Sequence, residues 1–198
     1  MKILFISLLL LVGVNARPFS NVRNDIQDTT EKTYTYKAES PLVKGWPVPD
    51  TYNEVEIKKF PRHKVAYTEG SRKSLTFMRL FKQIKQLNVE MTSPVVMKVG
   101  EGATANDMQQ MAFVYPDSFA GGGNNVKKVY EKTVPAQKVY SYVWQGCSCK
   151  KKKRKAKEAL YDYAQLTGVK LSNFRVLGYN SPSTPDDEKT WEMIASYK

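Results

Sequence analysis

Two amphipathic helical stripes, each bracketed by pairs of strand-like runs, constrain this chain more than any other feature of its sequence. After Ser71, which stands where an N-cap belongs, Phe77, Leu80, Phe81, Ile84 and Leu87 recur at helical spacing. A second helix is predicted from about Cys149 to Thr167, with Gly168 just past its end. Ahead of the first stripe, Val55 and Ile57 alternate with Glu54, Glu56 and Lys58, and Lys64 to Glu69 repeats the alternation after a turn at Pro61. Pro94 to Val99 and Met108 to Tyr115 follow as strands, and a glycine tip at Gly121-Gly122-Gly123 marks a mobile loop. The second half replays the order: strands at Val126 to Glu131 and Gln137 to Trp144, the helix, then strands at Ser172 to Tyr179 and Trp191 to Tyr197.

Corresponding elements sit roughly 72 to 82 residues apart, so β-β-α-β-β occurs twice with little side-chain identity. Eight strands and two helices predict an α+β protein, a distorted antiparallel β-barrel made of pseudo-duplicated halves and flanked by the helices. An up-and-down lipocalin-like barrel is the alternative, but it gives no place to two well-spaced amphipathic helices.

The N-terminus reads as a targeting segment. Met1-Lys2 is followed by an apolar run from Ile3 to Val14, and Val14-Asn15-Ala16 carries small residues suited to signal peptidase. The run is too short for a bilayer span, which takes about 20 residues. The expected organisation is a signal peptide over 1–16, an extended Pro-containing leader over 17–50 pinned by Trp46, and one domain over 51–198. The protein is therefore expected to be secreted and extracellular, and Asn180-Ser181-Pro182 fails as a glycosylation sequon. Thirty-one Lys and Arg against nineteen Asp and Glu give a net charge of +12, which favours anionic partners. One His and two Cys are too few for an ordinary structural zinc site. No acid/base pair is recognisable around Glu90 or Glu101, so no enzyme activity is expected.

Three segments are more specific in combination. Phe77-x-x-Leu80-x-x-x-Ile84 runs into Asn88 and then Met91-Thr92-Ser93-Pro94-Val95; Tyr142-Val143-Trp144-Gln145-Gly146 precedes the second helix; Leu177-Gly178-Tyr179-Asn180-Ser181-Pro182 leads to Thr190-Trp191-Glu192-Met193. Together with Tyr52 to Phe60, these resemble the SOUL/heme-binding-protein family over about residues 50–198. The likeness departs from the family at Ser93, in the order of Trp191 and Glu192, and in the acidic stretch from Ser183 to Glu188.

The resemblance implies binding of heme or a related tetrapyrrole, without covalent attachment, in a groove beside the first helix. A flat apolar disc with two propionates needs Met or aromatic walls and a cationic rim. On that helix Phe77, Met78 and Phe81 are the candidate walls, with Lys82 and Lys85 at the rim. An aromatic pair at this spacing is also what plain core packing would produce, Phe77 above all. The family's opening-strand histidine position is matched here by Lys59, and His63 is a weak axial-ligand candidate that reads more readily as a solvated surface residue.

Two features stand outside the resemblance. Lys150, Lys151, Lys152, Lys153, Arg154, Lys155 and then Lys157 crowd the start of the second helix, against its dipole. Docking to an anionic polysaccharide or membrane surface is one reading, and a merely solvated face is the other; specific nucleic-acid binding is not expected. Such docking gives the alternative function, a non-heme extracellular interaction protein. Cys147 and Cys149 are open to a local disulfide, intermolecular pairing, or free thiols.

Overall fold

The computed structural model describes residues 34–102, 107–119, 122 and 126–197. The expected signal peptide, the early leader and most of the glycine tip lie outside the described residues. The elements are β1 (Val55–Phe60), β2 (His63–Glu69), α1 (Lys73–Gln86), β3 (Val95–Val99), β4 (Met108–Val114), β5 (Tyr130–Val134), β6 (Gln137–Gln145), α2 (Lys150–Thr167), β7 (Leu171–Gly178) and β8 (Thr190–Tyr197). The duplicated β-β-α-β-β order is present, and the chain is an α+β protein in which eight antiparallel strands curl into a half-barrel flanked by two helices.

The strand order is β1-β6-β8-β7-β3-β4-β2-β5. Each half gives its first strand to the other: β1 pairs with β6, and β5 pairs with β2. The order is the same from either end, which puts a pseudo-dyad between β3 and β7, where Val95 faces Gly178 and Lys98 faces Arg175. Both helices cover one face. There Leu80 and Ile84 of α1 and Ala156, Leu160 and Ala164 of α2 join Met97, Met111, Phe113 and Trp144 in the larger core. The opposite, helix-free face has a smaller core of Phe60, Val65, Val114, Leu177 and Ile194, to which the leader contributes Val43 and Trp46.

Three local expectations are corrected. Arg72, not Ser71, is the N-cap of α1, and no side chain caps the helix; instead Thr76 Oγ1 donates back to the Arg72 and Lys73 carbonyls at 2.9 Å each. The strand expected over Val126 to Glu131 starts late. Val129 N–H closes a turn on the Val126 carbonyl, Lys128 takes φ 67°, and the ladder begins only at Tyr130.

In β1 the expected inward phase is reversed at its centre. Ile57 is 50% exposed while Lys58 is buried, because Lys58 Nζ bonds the Val48 carbonyl (3.1 Å) and pairs with Glu56 (3.1 Å) and Glu192 (3.2 Å) on the helix-free face. Alternation of polarity cannot reveal a lysine whose counter-charge arrives from a strand more than a hundred residues away.

Candidate functional site

The family-like segments mostly build the frame of a groove. Thr92 Oγ1 donates to the Val114 carbonyl (2.5 Å), Ser93 Oγ to the Tyr179 carbonyl (3.0 Å), and Ser93 N–H to the leader's Pro41 (3.0 Å). These bonds clamp the entry of β3 beside the end of β7. Tyr179 in turn donates its hydroxyl to Glu192, whose other oxygen accepts Ser141 Oγ at 2.5 Å. Burial and the facing carboxylate hold the Tyr179 hydroxyl far above its ordinary pKa. The Gly-Tyr and Trp-Glu segments thus lock β7 to β8 on one face and leave Gly178 and Trp191 on the other.

At Gly178 an added Cβ would stand 2.7 Å from the Trp191 ring, so only glycine lets that indole lie against β7. Trp191 is held there by its indole N–H, which donates to the Gly146 carbonyl at 2.8 Å. Between this wall and the first turns of α1 lies a groove of about 490 Å³. Phe77 and Met78 come from α1, Met91, Met97 and Met111 form the floor, and Trp191 closes the far side. Met78 is 58% exposed, which places a flexible thioether at the lip rather than in the core. Phe77 is anchored edge-on to Phe113, with ring centroids 5.1 Å apart.

Of the residues singled out on the first helix, the fold brings Phe77 and Met78 into the groove lining. Phe81 stacks on Phe77 (6.1 Å) outside that lining, and Lys85 Nζ sits 5.4 Å above the Phe81 ring; Lys82 is exposed farther along the helix. The ammonium groups at the groove are instead Lys73, 6.0 Å above the Trp191 ring, and Lys189, which pairs with Asp186 at 2.8 Å. Sequence reasoning passed over Met91, Gly178 and Trp191 as site residues although each belongs to a quoted family-like segment. It missed Met97 and Met111 because a lone methionine on a strand carries no local signal.

His63 lies on the other face of the sheet. Alternation along β3 sends Val95 and Met97 to the groove and Val96 and Lys98 to the cavity that His63 lines, so its ring cannot reach a molecule seated beside α1. It is buried edge-on to Trp46 (4.9 Å), with Nδ1 2.8 Å from the Pro61 carbonyl, and burial lowers its pKa. The solvated-surface reading of His63 is thereby corrected. Among the described residues the soft donors in the groove are thioether sulfurs, and no cluster of three or more His, Cys, Asp or Glu could hold a metal ion. A tetrapyrrole nevertheless suits the lining: an apolar slot left open by a glycine, methionines and rings for its faces, and two ammonium groups for its carboxylates.

On α2, Lys150, Lys151, Arg154 and Lys155 form an exposed stripe, while Lys152 and Lys153 are half-buried. Lys157 departs from the expected anion-binding run. It is fully buried, and its Nζ donates to the Gly100 (2.5 Å) and Gly102 (2.8 Å) carbonyls, with burial lowering its pKa to about 8. Cys147 and Cys149 are bonded to each other just ahead of the helix.

The family model described as SOUL heme-binding protein matches residues 43–193. No curated protein matches the chain. Among solved structures, the C-terminal domain of EcmrR is similar at TM-score 0.56 and 14% identity, covering 73% of this chain and 97% of that one. EcmrR in its DNA complex gives TM-score 0.56 and 15% identity over 73% of this chain, which spans only 57% of that longer protein. An uncharacterized conserved protein from Listeria innocua gives TM-score 0.56 and 8% identity, covering 74% of this chain and 93% of the other. Likenesses at these identities establish a shared fold.

Proposed function

Since the chain belongs to the SOUL heme-binding protein family, we propose that it is a secreted, non-enzymatic binder of heme or a related porphyrin, and that the groove between α1 and Trp191 is the site. The observation that carries this reading is the open apolar slot itself, about 490 Å³, kept clear by Gly178. Phe77 and Trp191 would hold the macrocycle's faces, the methionines would adapt to its edge, and Lys73 and Lys189 would meet its propionates. Bound heme would supply an iron centre able to take up small ligands and exchange electrons. The protein's own part is to shield the faces from water and to neutralise the carboxylates.

Titration of the full chain with hemin, followed at the Soret band, tests the proposal. We expect saturable binding with a shifted band, weakened at least about tenfold (~1.4 kcal/mol) in Met78→Glu. Because Met78 is exposed, that variant should fold normally. An unchanged titration curve for it would contradict the placement.

A second reading rests on the four-residue cationic stripe of α2: docking to a sulfated polysaccharide. Lowered salt elution from heparin after neutralising Lys150, Lys151, Arg154 and Lys155 is the expected result, and elution at the same salt would remove the reading.

A further inference from the structure

The helix-free face contains a second cavity, of about 280 Å³, on the opposite side of the sheet from the α1 groove. Trp46, Phe60 and Val96 supply apolar wall, and Lys98, Lys132 and Arg175 reach it from three different strands, β3, β5 and β7. Lys98 and Arg175 are directly opposite each other in the β3–β7 ladder, an arrangement of like charges that costs stability unless something negative joins them. Among the described residues no carboxylate forms an ion pair with any of the three. Nearby Glu101 accepts the Asn173 amide at 3.1 Å, and Glu69 attracts Lys132 without pairing with it.

The backbone is shaped around this cluster. Both ladders that flank the central pair are irregular here: β3–β4 shifts register between Lys98 and Val99, and β7–β8 between Ser172 and Arg175, where Asn173 adopts φ 57°. Bulges of this kind re-aim the side chains beside them and are frequent next to binding sites. Arg175 is also fixed in place. Its Nε donates to the Asn173 carbonyl (3.3 Å) and its Nη2 to Gln137 Oε1 and Ser196 Oγ (3.1 Å each), while Nη1 has no partner among the described residues. Lys132 is braced by Gln110 Oε1 (3.2 Å) and by the Tyr67 ring (4.4 Å). Burial lowers the pKa of Arg175 to about 10, and burial followed by the neighbouring charges of Lys98 and Arg175 lowers that of Lys132.

We propose that this cavity binds a small amphipathic organic anion, with its ring or short acyl portion against Trp46, Phe60 and Val96 and its carboxylate among Lys98, Lys132 and Arg175. At about 280 Å³ the cavity falls below the range of roughly 300–1,000 Å³ typical of drug-sized ligands, and is far smaller than the α1 groove. It therefore selects a ligand of one or two rings rather than a tetrapyrrole. The site is independent of the proposed heme groove: the two share no lining residue.

The test uses 2-naphthoate as probe, its neutral isostere 2-naphthylmethanol as control, and calorimetric titration of the full chain. Naphthoate is expected to bind saturably and the alcohol at least about tenfold more weakly. Lys98→Gln combined with Lys132→Gln, both at exposed positions, should weaken naphthoate at least about tenfold while leaving hemin titration unchanged. Met78→Glu should do the reverse. Equal binding of acid and alcohol, no detectable naphthoate binding, or full naphthoate affinity in the double variant would overturn the proposal, whatever the outcome with hemin.

Discussion

The two helices occupy equivalent places in a duplicated fold, and one lines a groove with an aromatic ring where the other buries a lysine. Aligning Leu80 of α1 with Leu160 of α2 sets Thr76 on Ala156 and Ile84 on Ala164, all of them buried. In the same alignment Phe77 falls on Lys157. On the α1 side the ring lines a slot of about 490 Å³; between the starts of the two helices, the gap bounded by Lys73, Met97, Lys153 and Val176 is only about 10 Å³. Lys157 places its Nζ 5.0 Å from the Phe174 ring centroid and fastens the chain at the Gly100 and Gly102 carbonyls. Duplication supplies two similar scaffolds that differ at a matched position, a groove-lining ring at Phe77 and a buried ammonium at Lys157.

The largest effect should come from removing the buried lysine. Lys157→Ala removes a fully buried stem and leaves two carbonyls without their donor, and is expected to cost about 3–4 kcal/mol in denaturant unfolding. Phe77→Ala, at a half-buried site, should cost about half as much, and the reverse order would dissolve the comparison. Next, Gly178→Ala tests the open side. Its methyl group would press on Trp191, so we expect a loss of about 1–3 kcal/mol together with weakened hemin binding.

A smaller effect concerns pH. The folded pKa of Lys157, about 8, lies below its unfolded value, so folding is disfavoured while both states are protonated and relieved as pH rises from about 8 toward 10.5. Relative to Lys157→Met, the parent chain should therefore gain on the order of 1 kcal/mol over that interval, with solvent screening taken into account. A parallel pH dependence in the two proteins would show that the ammonium is not desolvated. The smallest expected change is Lys98→Gln, which relieves the Lys98–Arg175 repulsion and should raise thermal stability by a few tenths of a kcal/mol in the absence of ligand.

Much of this architecture is legible from periodicity. The helical stripe through Leu80 and Ile84 and the strand alternations place nearly every element, and the twofold repeat implies the eight strands. What periodicity cannot supply is the partner of each charged residue. Lys58 and Lys157 look like solvated lysines until Glu192 and the Gly100 loop are brought to them by the sheet. The groove was half visible for a similar reason. Phe77 and Met78 announce themselves on a helix face, whereas Gly178 matters only because Trp191, thirteen residues later, folds across it. Lys82 and Lys85 share the charge expected of a rim, yet the helix turns them away from the slot and Lys73 and Lys189 stand there instead.

The most direct test of the account is a hemin titration of the parent chain beside Met78→Glu and Lys157→Met. A saturable Soret shift is expected for the parent chain and for Lys157→Met, and a titration weakened at least about tenfold for Met78→Glu. Hemin affinity that ignores Met78 but falls with Lys157 would put the site beside α2 and contradict the central claim.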